Sequence, residues 1–63
     1  MKMKGIYWTL WEDGRILHRS GDFNRLLRFT ANTTDAIITF GDEGSVVWVQ
    51  DADKYWAERG MPA

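Results

Sequence analysis

Between Lys4 and Glu12 apolar residues fill both parities of the chain, with Ile6, Trp8 and Leu10 alternating with Tyr7, Thr9 and Trp11. Aromatic and branched residues suit a pleated surface, so a strand with no polar face is predicted. Asp13-Gly14 follows. This dipeptide between apolar runs supplies the positive φ angles of a two-residue type I′ hairpin, and Arg15 to Arg19 is predicted to pair back on the first strand. Such a loop sets Glu12 opposite Arg15, Trp11 opposite Ile16, Leu10 opposite Leu17, Thr9 opposite His18 and Trp8 opposite Arg19. Opposed residues share a face. Ile6, Trp8, Leu10 and Leu17 then lie on one side, and Tyr7, Thr9, Trp11, Ile16 and His18 on the other.

The period changes after Ser20-Gly21. Asp22 is a good N-cap, able to accept from the free amides of a first helical turn. Phe23, Leu26, Leu27 and Thr30 stand at i, i+3, i+4 and i+7, a narrow apolar stripe with Arg25 and Arg28 turned to water, and the spacing predicts a helix to about Ala31. Asn32-Thr33-Thr34-Asp35 is a polar connector. Strands over about 36–41 and 45–50 repeat the hairpin around Glu43-Gly44. With the same loop, Phe40 faces Val47 and Ile38 faces Val49 on the core side, leaving Ile37, Thr39, Val46 and Trp48 on the reverse. Asp51 or Asp53 caps a last helix whose stripe is Ala52, Tyr55, Trp56 and Arg59, with Gly60 and Pro62 as its stop.

The two halves are written alike. At an offset of 30, Thr9, Leu10, Asp13, Gly14, Ile16 and Leu17 are matched by Thr39, Phe40, Glu43, Gly44, Val46 and Val47, while the helix cap Asp22 is echoed by Asp51 at an offset of 29. The expected fold is α+β: a single domain of residues 1–63 with ββα pseudo-repeats over about 4–31 and 36–60 and a connector at 32–35. Four strands form one antiparallel sheet, with two short helices packed on one face. Two such helices cover only one face of the sheet. The other would then expose Tyr7, Trp11, Ile16, His18, Ile37, Val46 and Trp48, a contiguous apolar patch of the kind that marks an interaction site. The competing arrangement has the sheet curl into a small barrel, or the C-terminal helix cross over and bury that face.

Composition limits how such a chain is stabilised. It has 63 residues and no cysteine, which removes disulfides, thiolate metal sites and thiol nucleophiles. Four Trp, two Tyr and three Phe leave dense aromatic packing or a partner as the remaining supports. The basic start Met1-Lys2-Met3-Lys4 leads into no apolar run long enough for a signal-peptide core or a membrane span, so a soluble cytoplasmic protein is expected. A net charge of −1 conceals an asymmetry: residues 1–31 carry six Lys and Arg against three Asp and Glu, whereas residues 32–63 carry two against six. A basic edge and an acidic edge suit different partners, or a second copy of the chain.

Catalytic chemistry finds little support. His18 neighbours Arg19 and stands two positions before Ser20, but adjacent strand residues point to opposite faces, and a structural or interface histidine is expected. The pairs Glu12-Asp13 and Asp42-Glu43 sit at hairpin tips, where turns favour Asp for conformational reasons and no EF-hand spacing accompanies them. Asp51-Ala52-Asp53 reads as helix capping. The glycines are scattered as turn punctuation rather than gathered in a phosphate loop. No catalytic residue, metal or cofactor is expected.

In size, absence of cysteine and aromatic richness the chain resembles the very small proteins that phages and mobile elements use against bacterial defence, such as anti-CRISPR proteins. The resemblance is one of size and composition and brings no functional residue with it. It implies a compact, non-enzymatic inhibitor that occupies a functional surface of a host protein or nucleoprotein complex, a nucleic-acid-binding surface among them. From the residues themselves, Tyr7, Trp11 and Trp48 are the candidate anchors, since Trp, Tyr and Arg dominate interface hot spots. Asp35, Asp42, Glu43, Asp51 and Asp53 are the candidate steering charges toward a basic surface. The alternative is a single-strand nucleic-acid binder that stacks bases on Tyr7 and Trp11 beside Arg15 and Arg19. A homodimer whose function is only assembly, joined through the same face or by its strand edges, is the third reading.

Overall fold

The computed structural model describes residues 5–59. The elements are β1 (Trp8–Glu12), β2 (Arg15–Ser20), α1 (Phe23–Phe29) running into a 3₁₀ turn (Thr30–Asn32), β3 (Ala36–Phe40), β4 (Val46–Val49) and α2 (Ala52–Arg59). All strand pairs are antiparallel, in the order β2-β1-β3-β4. The class and the two ββα units are those expected. Strand order adds what the repeats left open: β1 and β3, apolar on both faces, are central, and the hairpin partners β2 and β4 are the edges. The expected strand start at Lys4 and the helix stop at Gly60 and Pro62 lie outside the described residues. Within them, Gly5 at φ +82 precedes the ladder, which begins at Trp8.

Asp13 (φ 55) and Gly14 (φ 76) make the tight first turn, and Glu12 pairs with Arg15 and Trp11 with Ile16 as expected. The register then slips: Leu10 pairs with His18 and Thr9 with Arg19, leaving Leu17 as the extra residue of a β-bulge. The expected pairs of Leu10 with Leu17, Thr9 with His18 and Trp8 with Arg19 are thereby corrected. An unbroken ladder would have put the Arg19 guanidinium beside Trp8 on the apolar face. The bulge turns it to the Thr9 side, where Asp42 receives it.

The second hairpin is corrected in the same way. Its turn spans residues 41–44 rather than Glu43-Gly44 alone, closed by the Phe40 amide donating to the Ser45 carbonyl at 2.9 Å. Gly41 takes φ +72, and Gly44 is packed so closely on Phe40 that a Cβ there would run into the Phe40 carbonyl oxygen. Thr39 pairs with Val46 and Ile38 with Trp48, so the extra residue is Val47, thirty positions after Leu17. Trp48 therefore faces the core instead of the reverse side.

Leu10, Leu26, Ala36 and Ile38 form the buried core, with Trp8, Phe23, Leu27 and Trp48 packed against it. The Trp8 ring meets Phe23 at 5.8 Å and Phe40 at 6.0 Å, both edge to face, a favoured aromatic geometry. Asp22 caps α1 as expected, accepting from the Asn24 and Arg25 amides at 3.1 and 3.4 Å. The end of α1 is fastened to β4 by Gln50. Its amide donates to the Thr30 and Thr33 carbonyls, each at 2.9 Å, and its oxygen accepts from the Thr33 hydroxyl at 2.6 Å and the Ala36 amide at 3.1 Å.

Only α1 lies on the Leu10 and Ile38 side. Tyr55 of α2 comes up to Trp11 and Ile37, which alternate to the opposite face, and Lys54 pairs with Asp35 on that side at 2.9 Å. The helices thus take opposite faces. At the offset of 30, Ser20, the last residue of β2, is matched by Gln50, yet β4 ends at Val49 and the α2 cap Asp51 stands at an offset of 29. The chain so leaves the second hairpin one matched position earlier, and a single residue reverses the face toward which an extended chain turns.

Candidate aromatic and acidic interface

The side of the sheet away from α1 is not an open aromatic platform. Thr9 is fully buried there, and its hydroxyl donates to Asp42 Oδ1 at 2.7 Å. Arg19 grips the same carboxylate with Nε and Nη2, each at 2.8 Å. Bidentate geometry of this kind is the strong form of the pair. The Arg19 hydrogen bonds, then that of Thr9, hold the Asp42 carboxyl below its usual range, while Asp42 raises the Arg19 guanidinium. Tyr7 acts on Asp42 in the same downward direction and is half-buried. Next along the face, the Trp11 indole N–H donates to the Thr39 hydroxyl at 2.9 Å, which in turn donates to the Gly41 carbonyl at 2.6 Å.

Beyond this network, α2 and the first hairpin enclose a depression of about 290 Å³. Trp11, Ile37 and Tyr55 wall it, and Asp13, Asp35 and Glu58 bring carboxylates to its margin. Glu12 is also there, its Oε2 accepting from the Thr34 and Asp35 amides at 3.0 and 3.1 Å and so fixing the connector that leads into β3. Two cations reach the same place. Lys54 donates a hydrogen bond to the Asp35 carboxylate, which raises its ammonium above the ordinary value, and the Arg59 guanidinium carbon sits 3.9 Å from the centre of the Tyr55 ring. On the outer side of α2, Trp56 packs edge to face on Tyr55 at 5.2 Å and is exposed along with Val46 and Val47 of β4.

The expected site residues are thus divided. Trp11 and Asp35 lie in the depression; Tyr7 stands beside Asp42; and Trp48 belongs to the other face. His18 likewise leaves the expected patch and packs against Phe29 between β2 and α1, the ring centres 4.4 Å apart and the planes tilted by 53°. Ile16 and Val46 are exposed, whereas Tyr7, Trp11 and Ile37 are half-buried, so the contiguous seven-residue patch does not exist. Of the acidic group, Asp42 is committed to Thr9 and Arg19, Asp35 to Lys54, and Asp51 to capping α2 through the Lys54 amide at 3.1 Å. Glu43 and Asp53 are exposed. Arg15 is exposed at the far edge with Arg25 and Arg28, while Arg19 is taken by Asp42.

Tyr55, Glu58 and Arg59 are the site residues that sequence reasoning missed. Their i, i+3, i+4 spacing places them on one helical face, but Tyr55 and Arg59 read equally well as a core stripe and its flank. Among the described residues no cluster of three or more His, Asp or Glu is placed to hold a metal ion, and no helix is long and apolar enough to cross a membrane. Compared with known proteins, the chain matches no family model, no curated protein and no solved structure.

Proposed function

We propose that the chain is a non-enzymatic protein-binding module that presents an acidic edge to a basic surface of its partner. The observation that carries this reading is strand order. Because β1 and β3 are central, the basic residues Arg15, Arg25 and Arg28 and the acidic residues Glu43, Asp51 and Asp53 are set toward opposite edges of the sheet. Exposed Val46, Val47 and Trp56 adjoin the acidic edge, giving apolar anchors rimmed by one sign of charge. Complementary potential of that kind steers association and selects the partner. With the resemblance in size and composition to anti-defence proteins, the reading becomes an inhibitor from a phage or mobile element, acting on a nucleic-acid-binding surface of a host defence complex such as CRISPR-Cas. The single-strand nucleic-acid alternative loses support, because Tyr7 and Trp11 are half-buried and Arg19 is neutralised by Asp42.

The test is capture of a host complex by the immobilised chain at low and at raised salt. Glu43→Lys with Asp53→Lys is expected to slow association at low salt, and Arg25→Glu with Arg28→Glu to leave it unchanged. The opposite pattern, with a salt-sensitive shift of a single-stranded oligonucleotide, would support the nucleic-acid reading instead.

A further inference from the structure

We propose that the Tyr55 ring is a guanidinium site, occupied in the free chain by Arg59 and taken over by an arginine of a protein partner. It rests on the protein-binding reading and names the group recognised. At 3.9 Å from the ring centre, Arg59 lies well inside the range at which a cation is drawn to an aromatic face. Arg59 is exposed in the last described turn of α2, and its contact with Tyr55 is an i, i+4 pair of the exchangeable kind found on helix surfaces. The ring opens onto the depression walled by Trp11 and Ile37.

Charge selects the occupant. Glu12, Asp13, Asp35 and Glu58 line the depression against Lys54 and Arg59 alone, so it keeps an excess of two negative charges after its own cations are counted. A phosphate backbone is repelled there and a cationic side chain is attracted. Arginine is favoured over lysine, because its planar guanidinium stacks on aromatic faces and is more weakly hydrated. Arg59 is then an internal competitor, and its removal strengthens binding.

The probes are hexa-arginine and hexa-lysine peptides, titrated into the full chain while the Trp11 indole and Tyr55 ring resonances are followed by NMR. Arg59→Gln is expected to bind hexa-arginine at least about five-fold tighter, Tyr55→Leu about five-fold weaker, and the gain from Arg59→Gln is expected to vanish in the double variant. Hexa-lysine should gain less. A gain that persists without the Tyr55 ring would show that Arg59 acts through net charge alone, and the proposal would fall. It would fall equally if Arg59→Gln bound no tighter, or if hexa-arginine left the Tyr55 resonances of the Arg59→Gln chain unmoved, a readout that needs no Tyr55 variant. None of these results touches capture through Glu43 and Asp53, so the broader reading stands or falls separately.

Discussion

Thr9 lies directly across from Thr39 in the β1–β3 ladder, and the two occupy the same place in units thirty residues apart. A residue that pairs with its own repeat marks a local two-fold axis through the sheet, here between the central strands. Both hydroxyls are buried, and each has a different partner: Thr9 donates to Asp42, and Thr39 accepts from Trp11 and donates to Gly41. The two halves share a scaffold and have diverged in what it carries. One edge of the sheet became basic and the other acidic.

Trp48 follows from the bulge at Val47. Facing Ile38 and packed on the core, it contributes to stability. Trp48→Ala is expected to destabilise the fold by about 3 kcal/mol, near the low end for a core aromatic because the side chain is only half-buried. Urea unfolding measures it. An unchanged midpoint would return Trp48 to the interface that sequence alone suggested.

Gln50 is the polar counterpart. Its amide group satisfies two carbonyls, a backbone amide and a hydroxyl that join the end of α1 to β3. Gln50→Leu keeps the bulk but takes the side-chain partner from the Thr33 carbonyl and the Ala36 amide, while the Thr30 carbonyl and the Thr33 hydroxyl still bond each other. The expected loss is about 1–3 kcal/mol, the cost of orphaned, partly buried polar groups. Hydrogen exchange at the Ala36 amide should accelerate along with the drop in stability.

Much of this was legible in the chain. The alternation in β1, the Asp13-Gly14 turn and the Asp22 cap are local signals, and each stands where expected. What escaped the sequence is the single-residue arithmetic of the sheet. A bulge leaves no local mark at Leu17 or Val47, because its advantage is tertiary: it turns Arg19 toward Asp42 and Trp48 toward Ile38. The one-residue difference at the helix caps was visible as a broken offset. Its meaning, α2 on the far face beside Trp11, required knowing which strands are central. For the same reason Tyr55 and Arg59 could not be placed in a site.

Acid should expose the Asp42 network. Its carboxyl is held below the ordinary value in the folded chain, so the unfolded chain binds the proton more readily. The stabilisation is fully present above the unfolded pKa of about 4 and is lost as pH falls through the folded value. Asp42→Asn should therefore be less stable than the parent at pH 6, with the gap closing below about pH 4. Urea midpoints across this range decide it, and a gap independent of pH would show that Asp42 acts through shape rather than charge. Lys54 works in the other sense: raised by Asp35, it contributes below its unfolded pKa and the contribution is lost as pH rises through the folded one.

The bulges themselves can be tested by deletion. Leu17 is exposed and is the residue skipped between the pairs Trp11 with Ile16 and Leu10 with His18. Removing it leaves Ile16 and His18 adjacent, so every remaining pair keeps its face and Arg19 still meets Asp42. Stability should change by about 1 kcal/mol or less, as for other exposed sites without a structural role. The cost should appear elsewhere. A bulge interrupts the free edge of β2, and an uninterrupted edge is a template for a second chain, so the deletion variant should self-associate at concentrations where the parent does not. Light scattering and urea unfolding measure the two effects. Loss of the fold would mean that the bulge sets the register, rather than accommodating a register already fixed by the Asp13-Gly14 turn and the Arg19 pair with Asp42.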